Sequence, residues 1–344
     1  IACEAATWLD EHFLSDLSAV KMNLDRYLVN GVNHIVYHGT PYSPKNEQWP
    51  GWMFYASVHF APTNTWWEDL KTINSYVTNC QSFMQNSKPA NDILLYYPIY
   101  DSWSEQSKSM LQHFGTANDK LTKELSEFLL TNGYMFDYIS DKQIQQLSIE
   151  DNKIRSNKVE YKTILIPKCN YIPFKTIEKI ISLAEQGATI IVEDNFPSEV
   201  PGLSDFKNRQ QKFEELKKNI EFVNEQNIDV AKVKKGKILK GNNISILLLK
   251  ANVLSEPMAA SGLWLNRVNR EEGITYLIIN WSEKDIDGWV SVNSSGEDAV
   301  WFNPMNKAIG KARTKNINKE SAEVYLQLGK GETLILQWYP NEQN

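Results

Sequence analysis

The sequence has little cysteine, no long apolar run and no excess of basic residues. Its three cysteines stand far apart among 344 residues, which excludes a disulfide framework and a cysteine-rich zinc site. No apolar run approaches the roughly 18 residues that cross a bilayer, so we expect no membrane span. With 36 Lys and Arg against 42 Asp and Glu and a net charge of −6, no nucleic-acid partner is expected, because a phosphate-binding face requires clustered basic residues.

Aromatic residues and histidines, by contrast, crowd the start of the chain. All five His and six of the eleven Trp lie in the first 113 residues. The middle is richer in Lys, Glu and Ile and alternates apolar runs with helical patterns, whereas the end consists of short alternating runs separated by turns. We therefore expect three domains, over residues 1–88, 89–236 and 237–344, of ordinary globular size.

The first of these regions has the pattern of two strand–helix units. The run "IACEAATW" precedes a helix predicted over residues 15–30, where Leu and Val recur at three- and four-residue spacing before Gly31. The run "VNHIVYHG" is the next strand, and after a long loop "TWWEDLKTINSYVTNCQSFMQNS" predicts a second helix. Such units are typical of an α/β barrel, whose active sites gather at the carboxyl ends of its strands.

The middle and C-terminal regions have different patterns of apolar runs. In the middle, "DILLYYP", "KTILIPKC" and "ATIIVED" alternate with helical segments, which predicts a parallel, doubly wound sheet. Cys169 ends one of these runs without the small, Gly-rich neighbours of a nucleophile elbow, so we expect no catalysis there. At the end, "ISILLLK", "GITYLIINW" and "ETLILQWYP" predict strands of a β-sandwich-like domain, with a helical or irregular linker over "NVLSEPMAASGLWLNRVNR".

Glu4 is the first candidate for chemistry. A carboxylate within an apolar strand is costly to bury unless it is paired or functional. It is therefore either a salt-bridged or strand-end residue, or an active-site carboxylate at the end of a barrel strand. Glycoside hydrolysis needs two carboxylates, and only one is evident here, because Asp10 and Glu11 are expected to cap the following helix or to face solvent.

The histidines and aromatic residues that follow form the second candidate. His34 and His38 share one face of their predicted strand because side chains alternate with period two. A turn and a Trp-rich loop come next, which favours a pocket over a core, while two histidines alone are weak indications of a metal. Aromatic rings of this kind can bind the faces of sugars, or they can pack the end of the barrel against the next domain. The candidate sugar contacts are His34, His38, Tyr42, Trp49, Trp52, His59, Asn64 and Trp66.

The stretches "GVNHIVYHGTPYSP", "WPGWMFYASVHFAPTNTWW" and "NDILLYYPIYDSW" together resemble the α-L-rhamnosidases of glycoside hydrolase family 106, and more distantly β-galactosidase-like enzymes. In those proteins a (β/α)8 barrel is followed by a flavodoxin-like, amidotransferase-related domain and then by β-rich modules. The resemblance thus implies an α/β protein that comprises the end of a barrel, a flavodoxin-like parallel-sheet domain and a C-terminal β-rich domain.

The same resemblance implies a mechanism. "ACEAAT" is similar to the penultimate barrel strand, with Glu4 as general base of an inverting enzyme, and "NHIVYHG" to the last, with His38 facing the sugar. It further implies a calcium ion near the substrate, a partner acid about 6.5–9.5 Å away, and an extracytoplasmic enzyme acting on polysaccharide or glycoside rhamnose. We expect the earlier barrel strands to belong to an N-terminal part of the same enzyme that precedes Ile1, and the chain as given to have little activity.

Two alternatives remain open at this point. One is a non-catalytic carbohydrate-binding or scaffolding protein that keeps the aromatic loop. The other is a retaining, β-galactosidase-like glycosidase in which Glu4 is the nucleophile, with the two carboxyl groups about 5–5.5 Å apart. The glycosidic linkage, the calcium ligands and the oligomeric state do not follow from the sequence.

Overall fold

The structure, a computed structural model, describes residues 1–104, 120–294, 298–318 and 321–339, without the side chains of residues 120 and 121. These residues divide into two compact units. One contains residues 1–89 and 257–344, and the other contains residues 90–256. Within the described ranges, no helix is both long enough and apolar enough to cross a membrane.

The first unit begins with two parallel strands and two helices. Strand β1 (Ala2–Ala5) pairs with β2 (His34–Tyr37) so that Glu4 lies opposite Val36. Helix α1 (Leu17–Val29) connects them, and the Asp16 carboxylate caps it by accepting a hydrogen bond from the Ala19 N–H at 2.7 Å. A 3-10 turn (Trp67–Asp69) leads into α2 (Leu70–Met84), and the short strand β3 (Lys88–Pro89) follows. The order of strand, helix, strand and helix is the predicted one.

The second unit is built on a seven-stranded sheet. The strands of this unit are β4 (Ile93–Tyr96), β5 (Phe136–Ile139), β6 (Ser148–Glu150), β7 (Lys153–Ser156), β8 (Val159–Tyr161), β9 (Thr163–Ile166), β10 (Thr189–Glu193), β11 (Val223–Glu225), β12 (Ile228–Val233) and β13 (Gly236–Gly241). Strands β6, β7 and β8 form a separate small sheet. The helices of this unit are α3 (Ile99–Ser104), α4 (Lys120–Thr131), α5 (Asp141–Ile144), α6 (Phe174–Gln186), α7 (Phe206–Lys218) and α8 (Ile244–Lys250).

The large sheet has five parallel strands in the order β5-β4-β9-β10-β13, extended by the antiparallel β12 and β11. Numbered along the chain, the parallel strands run 2-1-3-4-5. Every residue of β4 and β9 is buried, as expected for strands that are covered on both faces. The predicted parallel sheet is therefore present.

One predicted strand is wrong. The run "ISILLLK" forms helix α8, and the Asn243 side chain caps its first turn by accepting a hydrogen bond from the Ile246 N–H at 3.1 Å. Leu247 and Leu248 are then buried in the core of the parallel-sheet unit. Residues 237–256 accordingly lie in this unit, and residues 1–89 share a unit with the C-terminal strands, so the compact units differ from the three predicted domains.

The C-terminal region is rich in β-structure, as predicted. It contains β14 (Leu263–Arg270), β15 (Gly273–Asn280), β16 (Ile286–Val292), β17 (Asp298–Phe302), β18 (Ile309–Lys311), β19 (Thr314–Asn316), β20 (Ala322–Leu328) and β21 (Thr333–Tyr339). The order β18-β17-β21-β15-β14-β3 forms an antiparallel sheet, and β16-β20-β19 a smaller one. The predicted linker is partly wrong, because its second half forms β14, which pairs along its whole length with β15.

The core of the first unit joins the early helices to the late strands. Apolar side chains of α1 and α2 pack against Leu277, Ile279 and Ile335 of the larger sheet. Beside them the buried Asp25 carboxylate accepts hydrogen bonds from the Lys21 ammonium at 2.7 Å and from the Tyr76 hydroxyl at 2.5 Å. Burial raises the pKa of Asp25, against the opposing effect of Lys21. Lys21 and Tyr76 also lie 3.1 and 2.9 Å from the Thr333 hydroxyl at the start of β21, so this network ties α1 and α2 to the C-terminal sheet.

Candidate functional site

The Glu4 carboxylate lies near the carboxyl end of β1, beside the residue that follows β2. Parallel pairing continues past the two strands, since the His38 N–H donates to the Ala5 carbonyl at 3.0 Å. The Glu4 Oε1 atom is 3.7 Å from His38 Nδ1 and accepts a hydrogen bond from the Thr7 hydroxyl at 2.9 Å. The Glu4 side chain is 63% exposed. It is therefore an accessible strand-end carboxylate and not a buried structural one.

His38 is held by its aromatic neighbours. Its ring meets Phe54 edge-on at a centroid distance of 5.1 Å and lies 6.2 Å from the Tyr55 ring. Gly39 makes this approach possible, because a Cβ at that position would stand 3.0 Å from the Phe54 ring. The Nδ1 atom of His38 is buried and has no hydrogen-bond partner within the described part of the chain. Buried polar atoms without partners are rare in folded proteins, and each calls for an explanation.

His34 lies apart from this pair. It pairs with Ala2 at the opposite end of the strand and is exposed. Four residues of extended strand separate the two histidines by about 13 Å. The structure thus brings His38, and not His34, to Glu4.

Solvent-facing rings lie on the loop after β2 and on the segment after β1. Trp8, Tyr42, Trp49, Trp52 and Tyr55 are each more than half exposed. The Tyr55 ring links this set to His38, and it also lies 5.8 Å from the Trp8 ring. Trp8 was not among the predicted contacts, although its place four residues after Glu4 was the available signal. Exposed rings beside an accessible carboxylate can stack on a sugar and leave its hydroxyls to polar groups.

Three of the predicted sugar contacts, His59, Asn64 and Trp66, bind to neighbouring residues instead, and the exposed Trp49 also donates its indole N–H to the Thr63 carbonyl at 3.1 Å. The buried His59 places its Nε2 atom 2.7 Å from His12 Nδ1 and stacks on Phe13 at 4.6 Å. The buried Asn64 donates to the His59 carbonyl at 3.0 Å, and the Trp66 indole N–H donates to the Ser15 carbonyl at 2.9 Å. Burial, and then the neighbouring His12, lowers the pKa of His59. These side chains hold the loop in place.

Metal and thiol chemistry find little support. Within the described residues, no three His, Cys, Asp or Glu side chains are grouped so that they could hold a metal ion. The described residues do not by themselves form a site for the calcium ion that the resemblance implies, and this ion remains a prediction. Cys169 is buried, and burial raises the pKa of its thiol, which opposes the thiolate form that a nucleophile requires.

Comparisons with known proteins agree on a class of enzyme. Residues 1–312 match the family model of glycoside hydrolase family 106, described as alpha-L-rhamnosidase. A Formosa agariphila protein provisionally named beta-glucuronidase is 23% identical over 315 residues, which are 91% of this chain and 24% of that protein. The chain thus spans about a quarter of this curated relative.

Two solved structures illustrate the shared fold. The rhamnosidase from Novosphingobium sp. PP1Y has a TM-score of 0.78 at 17% identity, over 100% of this chain and 31% of its own. The beta-galactosidase from Bacillus circulans sp. alkalophilus has a TM-score of 0.56 at 9% identity, over 93% of this chain and 52% of its own. The likeness in structure is thus stronger to the rhamnosidase.

Proposed function

Since this chain belongs to the alpha-L-rhamnosidase family, glycoside hydrolase family 106, we propose that it forms part of an active site that releases rhamnose from a polysaccharide or glycoside, with Glu4 as general base. One observation carries the proposal. Glu4 is an accessible carboxylate at the carboxyl end of a parallel strand, 3.7 Å from His38 at the end of the adjoining strand. Active sites of barrel enzymes are assembled at such strand ends.

The contacts of Glu4 suit this role. Thr7 and His38 both approach Oε1, so Oε2 is the oxygen assigned to the reacting water. As the water oxygen attacks the anomeric carbon, its proton passes to the Glu4 carboxylate. The bond from the anomeric carbon to the leaving oxygen breaks, and an acid about 6.5–9.5 Å away protonates that oxygen. This displacement inverts the anomeric centre.

The acid is assigned to another part of the protein. Near Glu4, Asp10 accepts a hydrogen bond from the Ser15 hydroxyl at 2.8 Å and Asp16 caps α1, so both carboxylates have structural roles. The chain covers 31% of the rhamnosidase that it resembles in fold, which leaves room in such an enzyme for the second carboxylate and the calcium ligands. We therefore expect no turnover by this chain alone. The expected setting is extracytoplasmic, where polysaccharide substrates are found.

We also assign both parts of the chain to fold classes. The two strand–helix units are assigned to the end of a (β/α)8 barrel, since β1 and β2 are parallel and α1 connects them. The unit of residues 90–256 is assigned to the flavodoxin-like class, because its parallel strands follow the order 2-1-3-4-5 that characterises this class.

The test is a Glu4→Gln substitution in the full-length enzyme. With 4-nitrophenyl α-L-rhamnoside, kcat should fall by about 10³-fold, while rhamnose binding measured by calorimetry persists. The matched control is Glu11→Gln, which removes an exposed carboxylate from the same region and should leave kcat unchanged. Hydrolysis that survives in the Glu4 variant would reject Glu4 as the base.

The anomer of the first product separates the mechanisms. Proton NMR during the first turnovers should show that the released rhamnose has the anomeric configuration opposite to that of the substrate. Retained configuration would instead assign Glu4 as the nucleophile of a retaining enzyme, as in the β-galactosidase-like alternative. Rhamnoside binding without any hydrolysis by the full-length protein would favour the non-catalytic reading.

A further inference from the structure

The C-terminal strands enclose a cavity that the proposed rhamnosidase site does not use. Its volume is about 310 Å³, within the range of small-molecule pockets. It opens between the β17–β18 hairpin and β20. The side chains that define its chemistry are Trp301, Asn306, Lys311, Arg313, Tyr325 and Gln327.

The aromatic walls of this cavity are rigidly placed. Trp301 pairs with Gly310 across β17 and β18, and a Cβ at position 310 would stand 2.7 Å from the indole ring. The ring therefore lies directly against the main chain. The Tyr325 ring is fixed by its hydroxyl, which donates to the Asp287 carboxylate at 2.6 Å. The positioned Trp301 ring provides an apolar face of the kind that stacks on the C–H face of a pyranose, whereas the Tyr325 ring supports a neighbouring cation.

The charged groups of the cavity favour an anion. The Arg313 guanidinium lies 4.0 Å above the Tyr325 ring. Lys311 also lines the cavity, but its charge is offset by an ion pair with Asp298, so Arg313 is the main cation of the site. Among the described residues of the lining, Glu332 is the single carboxylate, and it accepts a hydrogen bond from the Gly329 N–H at 2.8 Å. Guanidinium groups match the two oxygens of a carboxylate. The exposed amides of Asn306 and Gln327 can serve hydroxyl groups.

The aromatic surface continues beyond the cavity. Trp289 lies 5.4 Å from the Tyr325 ring on the open face of the three-stranded sheet and is 38% exposed. The Lys315 ammonium stands 3.7 Å from the Trp289 ring centroid. Rings with neighbouring cations thus extend from the cavity along the sheet, so the surface can accommodate more than one sugar unit.

We propose that this cavity is a second carbohydrate site that binds an acidic sugar, a uronate unit of a polysaccharide, through Trp301 and through Arg313, which is stacked on Tyr325. The site is separate from Glu4 and does not depend on its role. It would hold the polymer on the C-terminal strands while hydrolysis occurs elsewhere on the enzyme.

The test compares charged and neutral sugars on the full-length protein. Calorimetry with trigalacturonate should detect binding, and the neutral galactotriose should bind at least tenfold more weakly. Arg313→Gln should weaken trigalacturonate binding about tenfold. The matched control is Lys330→Gln, which removes an exposed cation paired with Glu283 outside the cavity and should leave the affinity unchanged.

Further outcomes decide the inference. Equal affinity for the two trisaccharides, or no binding of either, would overturn it, as would equal losses in the Arg313 and Lys330 variants. Aryl rhamnoside hydrolysis should be normal in Arg313→Gln, and trigalacturonate binding should be normal in Glu4→Gln. Failure of the Glu4 proposal and failure of the uronate site therefore give different results. Because Arg313 is exposed, its variant should retain the wild-type melting temperature, and Gln327→Ala provides a second exposed change with a smaller expected loss.

Discussion

The imidazole of His38 and the carboxylate of Glu4 face each other at 3.7 Å, across the adjoining ends of two parallel strands that are connected by a helix. The separation is slightly longer than a hydrogen bond, and the His38 Nδ1 atom is buried without a donor or acceptor within the described residues. A shift of less than 1 Å would close the contact, according to the usual range of hydrogen-bond lengths. We infer that His38 orients the Glu4 carboxylate when substrate is bound.

Substitution of His38 tests this role. In the full-length enzyme, His38→Gln should lower kcat/KM for an aryl rhamnoside by about 10- to 100-fold, the equivalent of one hydrogen bond to a charged group. His34→Gln is the matched control, because His34 is an exposed histidine at the far end of β2. Steady-state kinetics of the two variants would contradict the assignment if the losses were equal.

Substitution of Trp52 should affect substrate binding more than stability. Trp52 is exposed and meets only the edge of Tyr42 among the described rings, at 6.1 Å. Trp52→Ala should therefore raise KM and leave the unfolding free energy within about 0.5 kcal/mol.

Trp66 provides the contrast. Its indole donates to the Ser15 carbonyl and packs against the Phe60 ring at 5.7 Å. Trp66→Ala should lower stability by about 3 kcal/mol, because it removes a large packed side chain and a hydrogen bond. Thermal melts and rhamnoside kinetics on both variants provide the test. A stable Trp66 variant with a raised KM would instead assign this ring to the substrate.

The lowered pKa of His59 should make stability depend on pH. The pKa of His59 is lowered in the folded protein, first by burial and then by His12, whereas in an unfolded chain it is about 6.5. Between these two pKa values the unfolded state binds more protons than the folded state. The contribution of His59 to stability is therefore fully present above about pH 6.5 and is lost as the pH falls below that value. Melting temperatures from pH 7.5 to 5.5 should show this decline.

Substitution of the neighbouring His12 tests its contribution to this pH dependence. His12→Gln removes one cause of the lowered pKa of His59 and should make the decline shallower, whereas His34→Gln, at an exposed position, should preserve the wild-type slope. An unchanged slope in the His12 variant would argue against the pair as the origin of the effect.

The local sequence determined much of the chain. Asp16 and the spaced apolar residues of α1 specify that helix through contacts within one segment. The unbroken apolar runs of β4 and β9 specify strands buried on both faces. The quoted stretches also identified the family that the comparison of residues 1–312 then established. These features depend on residues that are close together in the chain.

Tertiary structure decided the remainder. The run "ISILLLK" is apolar throughout, so it suits a buried helix as well as a strand, and packing of Leu247 and Leu248 selected the helix. His34 and His38 are equivalent in pattern, but only the pairing of β1 with β2 places one of them beside Glu4. A contact between residues 34 positions apart depends on strand register and on the packing of the connecting helix, and neither is encoded within any short segment of the sequence.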